Sequence, residues 1–125
     1  MRKQYHLWPA GTAFDAWDVD RLIRLSRELP VHAVRVNSVR EVDTVYWFDA
    51  STAAPTVRAV VAHARLMLDA NLSFPVILGP DGRVMDGMHR IARAMLEGKS
   101  EVSAVRFPAL PAPDYRDCQP ADLPY

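Results

Sequence analysis

The sequence has little cysteine and no long apolar run, and each shortage excludes a class of protein. One cysteine in 125 residues excludes an internal disulfide framework and a cysteine-rich zinc site. No apolar run approaches the roughly 18 residues that a membrane-spanning helix needs. The segment after Met1 also lacks the apolar centre of a signal peptide. We therefore expect a cytoplasmic protein with no membrane partner.

The chain also has no net charge at pH 7. Fifteen Lys and Arg balance fifteen Asp and Glu, whereas proteins that clamp DNA carry a basic face and a basic isoelectric point. Direct DNA binding is therefore not expected. The composition is otherwise that of an ordinary globular protein, 50% hydrophobic and 24% charged. Five of the ten prolines fall in the last eighteen residues. We predict one domain over residues 1–107, then an extended and irregular proline-rich tail over residues 108–125.

Hydrophobic periodicity predicts an α+β fold, with a small mixed β-sheet and helices packed around it. Residues 1–14 have no clear pattern and are expected to be irregular. We predict helices from Asp18 or Asp20 to Leu29, over residues 55–70 and over residues 88–97. We predict strands over residues 31–36, 75–78, 83–85 and 101–107. The Gly79-Pro-Asp-Gly82 segment is typical of a turn, and Gly98 of a helix C-terminus.

The helix over residues 55–70 carries the clearest amphipathic pattern in the chain. Pro55 suits its first turn. Its apolar positions recur at helical spacing, which predicts that they form its buried face. These positions are Val57, Val60, Val61, Ala64 and Leu68. His63 lies at the border of this face with no second histidine or carboxylate at ligand spacing, so a metal role is not expected.

The chemistry is concentrated in Asp86-Gly-Met-His-Arg90, between a predicted strand and a predicted helix. A helix N-terminus has unpaired N–H groups and a partial positive charge. Gly87 allows a ligand to approach the backbone closely, while His89 and Arg90 add donors. Together with Met88, these residues are the parts of a phosphate site. The alternative is a tight strand-to-helix connection with a surface Arg and a buried His.

Residues 56–107 resemble the ParB N-terminal domain of the ParB/sulfiredoxin superfamily. The matching segments are Phe74-Pro-Val-Ile-Leu78, Asp81-Gly-Arg-Val-Met-Asp-Gly-Met-His-Arg90, the following helix, and Val102-Ser-Ala-Val-Arg-Phe107. The resemblance implies that the Gly-Met-His-Arg helix start holds nucleotide phosphates. It identifies the chain as a superfamily member without the DNA-binding domain of partitioning proteins. Sulfiredoxins have a catalytic Cys where this chain has Met88, so sulfiredoxin activity is excluded.

The free serine kinases of the superfamily carry Asp-Gly-His-His-Arg, which this chain matches at Asp86, Gly87, His89 and Arg90. By that resemblance, Glu41 or Asp43 is a candidate general base, and His89 a residue that stabilises the transferred group. The alternative is that both acids cap a turn and face water. Asp86 would hold a water of a bound Mg²⁺ or cap the helix; no residue is assigned as a direct metal ligand. Mg²⁺ with ATP, ADP or CTP is the cofactor set that this reading suggests.

Other side chains near the motif have two readings each. Arg83 would reach a phosphate or pair with Asp114 or Asp117. Trp47, with Phe48, would line a pocket or belong to the core.

The sequence thus leads to a stand-alone domain that binds a nucleotide or a phosphorylated small molecule. Phosphotransfer or nucleotide hydrolysis is the activity it would allow, and whether the chain is an enzyme stays open. The alternative is a non-catalytic regulatory or protein-interaction module. A DNA-associated partitioning accessory is the third reading, and a homo-oligomer is left open.

Overall fold

Two β-sheets and three α-helices make up residues 3–48 and 53–125, the part of the chain that the computed structural model describes. This confirms the predicted α+β class. The elements are β1 (Tyr5–Ala10), β2 (Ala13–Asp18), α1 (Val19–Ser26), β3 (His32–Arg35), α2 (Val57–Asp69), β4 (Val76–Leu78), β5 (Val84–Asp86), α3 (Met88–Leu96), β6 (Glu101–Arg106) and β7 (Tyr115–Cys118). Short 3-10 turns follow β3 at Val36–Ser38 and Arg40–Asp43.

The larger sheet has the strand order β3-β6-β4-β5 and is mixed. Strands β4 and β6 are parallel, whereas the β3–β6 and β4–β5 pairs are antiparallel. The predicted turn joins β4 to β5, with the Gly82 N–H donating to the Gly79 carbonyl at 3.0 Å. This hairpin brings Asp86, the last residue of β5, directly to the start of α3.

Helix α3 has the predicted position and the predicted end. Ile91 and Ala94 are fully buried, and Gly98 adopts φ +71° just after the helix. The Lys99 N–H then donates to the Ala94 carbonyl at 2.9 Å, which closes the helix end. The helical spacing of Met95 from Ile91 predicts that Met95 faces inward, yet it is 47% exposed. It lies on the same side of the helix as Met88 and Ile91, at i+7 and i+4, so its exposure follows from its place in the last turn of α3 and not from its direction.

The predicted buried face of α2 is wrong. Val57, Val61 and Leu68 are 82%, 52% and 64% exposed. The half-buried positions that share a face are Ala59, His63 and Met67, at i, i+4 and i+8. Helix α2 packs mainly against α3. Polar contacts with α3, and not the apolar spacing of α2, therefore determine which face of α2 is covered.

Helix α2 also begins later than predicted. The Thr56 side chain caps it by accepting a hydrogen bond from the Ala59 N–H at 3.1 Å. Pro55 therefore precedes the cap and is not in the first turn.

The first residues and the tail build the second sheet, of order β1-β2-β7. Residues 1–14 were expected to be irregular, yet residues 5–10 pair with residues 13–18 around a two-residue turn at Gly11 and Thr12. Pro9 is tolerated because β1 is an edge strand. The tail was expected to be irregular throughout, but β7 lies antiparallel to β2, and the Trp17 Nε1–H donates to the Pro111 carbonyl at 2.8 Å.

A shared hydrophobic cluster joins the two sheets. Trp17 of β2 and Leu22 of α1 pack against Ile77, Met85 and Val105 of the larger sheet. The contact holds β1 beside β5 and the start of α3, and a cavity opens between these elements.

Candidate functional site

A cavity of about 630 Å³ opens onto the first residues of α3. Its walls come from β1, the 3-10 turn Arg40–Asp43, the loop that carries Trp47, and β5. We call it the α3 cavity. Its volume lies in the usual range for small-molecule sites, about 300–1,000 Å³. The residues singled out from the sequence that it brings together are Glu41, Trp47, Arg83, Asp86, Gly87, Met88 and His89.

Gly87 turns the chain from β5 into α3 in a conformation that other residues avoid. Its φ is +112°, in the left-handed region. A Cβ at this position would lie 2.9 Å from Nη2 of Arg90 and 3.1 Å from Cγ2 of Val76. The glycine is therefore required both by the turn and by the side chains that pack behind it.

Arg90 is held on the side of Gly87 away from the cavity. Its Nη2 lies 2.7 Å from Oδ2 of Asp86, and its Nη1 donates to the Pro75 carbonyl at 3.2 Å. Both charged side chains are mostly buried, with 17% and 19% exposed. The structure thus does not place Arg90 among the residues lining the α3 cavity, and it gives Asp86 a charged partner. Within the sequence motif, Gly87, Met88 and His89 line the cavity, and Asp86 and Arg90 form a structural ion pair.

The first residues of α3 line the cavity, and the helix begins there with N–H groups that have no helical acceptor. The N–H groups of Arg90 and Ile91 both donate to the Gly87 carbonyl, at 3.0 and 3.1 Å. The N–H groups of Met88 and His89 precede this first helical bond, so they belong to the orphan donors of the helix. The helix dipole adds partial positive charge at the same place.

Two cationic side chains, Arg83 and Lys3, lie on the cavity wall. The Arg83 guanidinium carbon lies 3.3 Å from the centre of the Trp8 ring, and Nη2 is 3.7 Å from Oδ2 of Asp81. A guanidinium stacked by its face keeps its N–H donors free at its edge. Lys3 is paired with Asp18 at 2.8 Å. Asp114, a predicted alternative partner of Arg83, accepts instead from Arg21.

The two candidate bases are in different environments. Glu41 lines the α3 cavity, and its Oε2 accepts a hydrogen bond from the Val84 N–H at 2.6 Å. Asp43, two residues later in the same 3-10 turn, is exposed and is not among the residues lining this cavity. The structure thus places Glu41 on the same cavity wall as His89 and leaves Asp43 outside the cavity.

His89 makes a contact that sequence reasoning missed. Its Nε2 lies 2.9 Å from Nδ1 of His63 on α2. The Trp47 indole stacks on both imidazoles, with ring centres 4.5 Å from His89 and 4.7 Å from His63. Burial, and secondarily His63, lowers the pKa of His89 to about 4. At neutral pH His89 is therefore a neutral hydrogen-bonding group and not a cation.

His6, also on the cavity wall, is half-buried and neutral at pH 7. Burial first, and the charge of Arg83 second, lower its pKa to about 4. Its Nε2 has no hydrogen-bond partner among the described residues. Its ring instead contacts the rings of Trp8 and Trp17, at 6.3 and 5.7 Å between ring centres.

These two histidines predict that the protein loses stability in mild acid. Below pH 6.5 the unfolded chain binds protons that folded His6 and His89 accept only near pH 4, so unfolding is favoured as the pH falls between these values. For His6 the loss between pH 6.5 and pH 5 is about 2 kcal/mol; half-buried His89 adds less. Urea unfolding at both pH values measures it. His6→Phe should flatten the profile relative to wild type, while His32→Gln, at an exposed position, should not. A His6→Phe profile as steep as wild type would contradict the assignment.

Comparison with protein-family models, with curated proteins and with solved structures gives no match. Within residues 3–48 and 53–125, none of the helices has the length and apolar character to cross a bilayer. The same residues contain no cluster of three or more His, Cys, Asp or Glu side chains arranged to hold a metal ion. The case for a function therefore rests on the α3 cavity and on the sequence motif that forms its wall.

Proposed function

We propose that the α3 cavity binds the phosphate group of a nucleotide or of another small phosphorylated molecule. The observation that carries the proposal is the convergence of two kinds of donor on one cavity: the backbone N–H groups that open α3, and the guanidinium of Arg83. Helix N-termini and arginine are both suited to phosphate oxygens. The volume of about 630 Å³ leaves room for the rest of a nucleotide beside Tyr46 and Trp47.

The resemblance to the ParB/sulfiredoxin superfamily supports the same ligand class. That resemblance implies phosphate binding at Gly87 to Arg90, and three of these four residues line the cavity. The fourth, Arg90, is paired with Asp86, so on this proposal Arg83 supplies the side-chain cation that the motif assigns to Arg90. The α+β class is consistent with the superfamily, and we propose membership on the motif.

A Mg²⁺ bound with the nucleotide fits the residues present. Mg²⁺ is usually held by one or two carboxylates together with substrate phosphates and waters. Among the described residues, Glu41 and Asp86 place side-chain carboxylates on the wall, although each already accepts a hydrogen bond, from the Val84 N–H and from Arg90 respectively. The ion would supply charge neutralisation of the phosphates.

Phosphoryl transfer or nucleotide hydrolysis is the second candidate function, and the position of Glu41 favours it. Its carboxylate is fixed by the Val84 N–H at 2.6 Å and faces the cavity that also contains His89. A fixed carboxylate can orient a hydroxyl or water toward a phosphate and accept its proton. Asp43, outside the cavity, offers a matched control.

Thermal unfolding with ligands tests the binding proposal. ATP, ADP, CTP, GTP and inorganic phosphate are added, each with and without Mg²⁺. A ligand at 100 times its dissociation constant adds about 2.7 kcal/mol of stability. Arg83→Met should weaken binding at least about tenfold, equivalent to about 1.4 kcal/mol. Arg116→Met, which removes the same charge from an exposed position on β7, should leave binding unchanged. No shift with any nucleotide or with millimolar phosphate would contradict the proposal.

Phosphate release assays on the same samples decide between binding alone and chemistry. If the chain is an enzyme, Glu41→Gln keeps the thermal shift and stops turnover, whereas Asp43→Asn leaves both unchanged. Binding without phosphate release in the wild type assigns the chain to the non-catalytic alternative.

A further inference from the structure

The bond between His63 and His89 is arranged for sharing a proton. The nitrogens are 2.9 Å apart, the ring centres are 5.2 Å apart, and the ring planes differ by 16°. The distance between the ring centres equals the nitrogen–nitrogen distance plus the centre-to-nitrogen distance of each ring. Each bonded nitrogen therefore lies close to the line that joins the two ring centres, and the rings are nearly coplanar and meet edge to edge. A metal ion ligated by both rings would need their lone pairs to converge on a third point. Here the lone pairs point at each other, which favours an N–H···N hydrogen bond.

Two neighbouring elements hold the pair in place. The Trp47 indole covers both rings, with interplanar angles of 19° and 11°. Arg93 of α3 donates to the Leu68 and Ala70 carbonyls at the end of α2, which fixes α2 beside α3. The face of α2 that packs on α3 is therefore the face that carries His63.

The bond determines which nitrogen of each ring remains available. Nε2 of His89 is engaged, so Nδ1 is the ring nitrogen left for a ligand in the α3 cavity. Nδ1 of His63 is engaged, so Nε2 is left for solvent or another partner. His63 is partly exposed, on the opposite side of the bond from the cavity wall.

We infer that His63 and His89 act as one proton-sharing pair that relays a proton between a ligand in the α3 cavity and solvent. His63 is a positioning residue: its bond selects the tautomer of His89. The inference rests on the proposed function for the identity of the ligand. The pairing itself is a property of the protein alone.

The relay balances one proton in and one proton out. A proton from the ligand binds to Nδ1 of His89; the proton on Nε2 of His89 passes to Nδ1 of His63; and the proton on Nε2 of His63 leaves to water. Both rings are neutral before and after. If the proton on Nε2 of His63 is not released, the pair carries one positive charge and keeps its N–H···N bond. A bound phosphate dianion favours this charged state.

Aromatic rings contact the pair, and groups of both charges share the cavity wall with His89. The Trp47 and Phe48 rings contact His63. The charged and titratable groups that share the cavity wall with His89 include Lys3, His6, Glu41, Tyr46, Arg83 and Asp86.

Imidazole ¹⁵N NMR of the whole protein tests the pairing directly, since ring nitrogen shifts report which nitrogen carries a proton. In the wild type we expect one tautomer for each ring, with opposite protonation at the two bonded nitrogens. On acidification both rings should respond at the same midpoint, because the first proton belongs to the pair. Two rings that show tautomer mixtures and titrate at separate midpoints would overturn the inference.

Two substitutions of His63 separate positioning from proton sharing. His63→Asn places an amide where Nδ1 was, so His89 should keep one tautomer but titrate alone, at a midpoint that differs from that of the wild-type pair. His63→Phe keeps the stack on Trp47 without the bond, so His89 should become a tautomer mixture. An unchanged His89 titration in His63→Asn would count against sharing.

Inorganic phosphate, added to the wild type, distinguishes failure of this inference from failure of the proposed function. If both hold, phosphate raises the shared midpoint and moves the resonances of both rings. A shared midpoint that phosphate does not move leaves the pair intact and contradicts phosphate binding at His89. A response of His89 without His63 overturns the relay.

Discussion

Replacing Gly87 with alanine should lower the free energy of unfolding by about 2–4 kcal/mol. The φ of +112° is unfavourable for any residue with a Cβ. The added methyl group would also lie within 3.1 Å of the Arg90 guanidinium and of Val76, whose side chain is buried. Relief of this contact requires movement of Arg90, and hence of its pair with Asp86. Urea unfolding at pH 7 measures the loss.

Gly98→Ala is the matched control for backbone strain. Gly98 has φ +71°, but a Cβ there would meet no atom within 4 Å among the described residues. We expect it to cost about 1–2 kcal/mol, from the left-handed conformation alone. The difference between the two variants measures the close packing behind Gly87. Equal costs would show that Arg90 and Val76 do not press on this glycine.

Replacing Arg90 with methionine should also destabilise the protein, by about 2–3 kcal/mol, because it leaves Asp86 as a mostly buried carboxylate without its cation. Ligand affinity at the cavity should change far less than in Arg83→Met, since Arg90 lies behind Gly87. The sequence motif alone predicts the opposite outcome, loss of binding with the fold intact. Urea unfolding and ligand titration of the same variant decide between the two.

Double-mutant cycles test whether the loss of stability comes from the interaction between Asp86 and Arg90. The Asp86→Asn and Arg90→Met cycle should give a coupling of about 1–3 kcal/mol. The Arg93 and Glu97 pair has the same i, i+4 spacing and a similar distance, 2.8 Å, but is more exposed. A Glu97→Gln and Arg93→Met cycle should therefore give about 0.5 kcal/mol or less. Similar couplings in both cycles would contradict a structural role for the Asp86–Arg90 pair.

Local signals in the sequence were sufficient for the β4–β5 turn and for the end of α3. The turn at Gly79 to Gly82 and the helix end at Gly98 each depend on backbone conformations that glycine favours. Both were predicted, and both are confirmed by their hydrogen bonds. The position of α3 directly after β5 followed from the same kind of signal.

Contacts between distant segments were beyond the sequence pattern. The His63–His89 bond joins residues 26 positions apart, and no spacing rule relates them. The apolar pattern of α2 predicted the wrong buried face, because the polar contacts of His63 and Arg93 select the docking side. The N-terminal hairpin was missed because residues 1–14 have no clear hydrophobic pattern, so nothing in the sequence indicates that residues 5–10 pair with residues 13–18.

The candidate site was predicted in part. Gly87, Met88 and His89 line the cavity with Asp86 and Glu41, whereas Arg90 and Asp43 do not. Side-chain direction separates these groups: Glu41 and Asp43 lie in one short turn, and His89 and Arg90 are neighbours on one helix. A sequence motif records which residues are adjacent, but the pairing of Asp86 with Arg90 decides which of them a ligand can reach.

Amide ¹H–¹⁵N spectra recorded during a titration with ATP, CTP and inorganic phosphate test the central claim most directly. If the cavity binds phosphate at the start of α3, the amide signals of Met88 and His89 move first and furthest. The Arg83 side-chain signal should move with them, and the Arg90 side-chain signal should stay with its Asp86 partner. Saturable shifts confined to residues outside the cavity wall, or no saturable shift at millimolar phosphate and nucleotide, would contradict the claim.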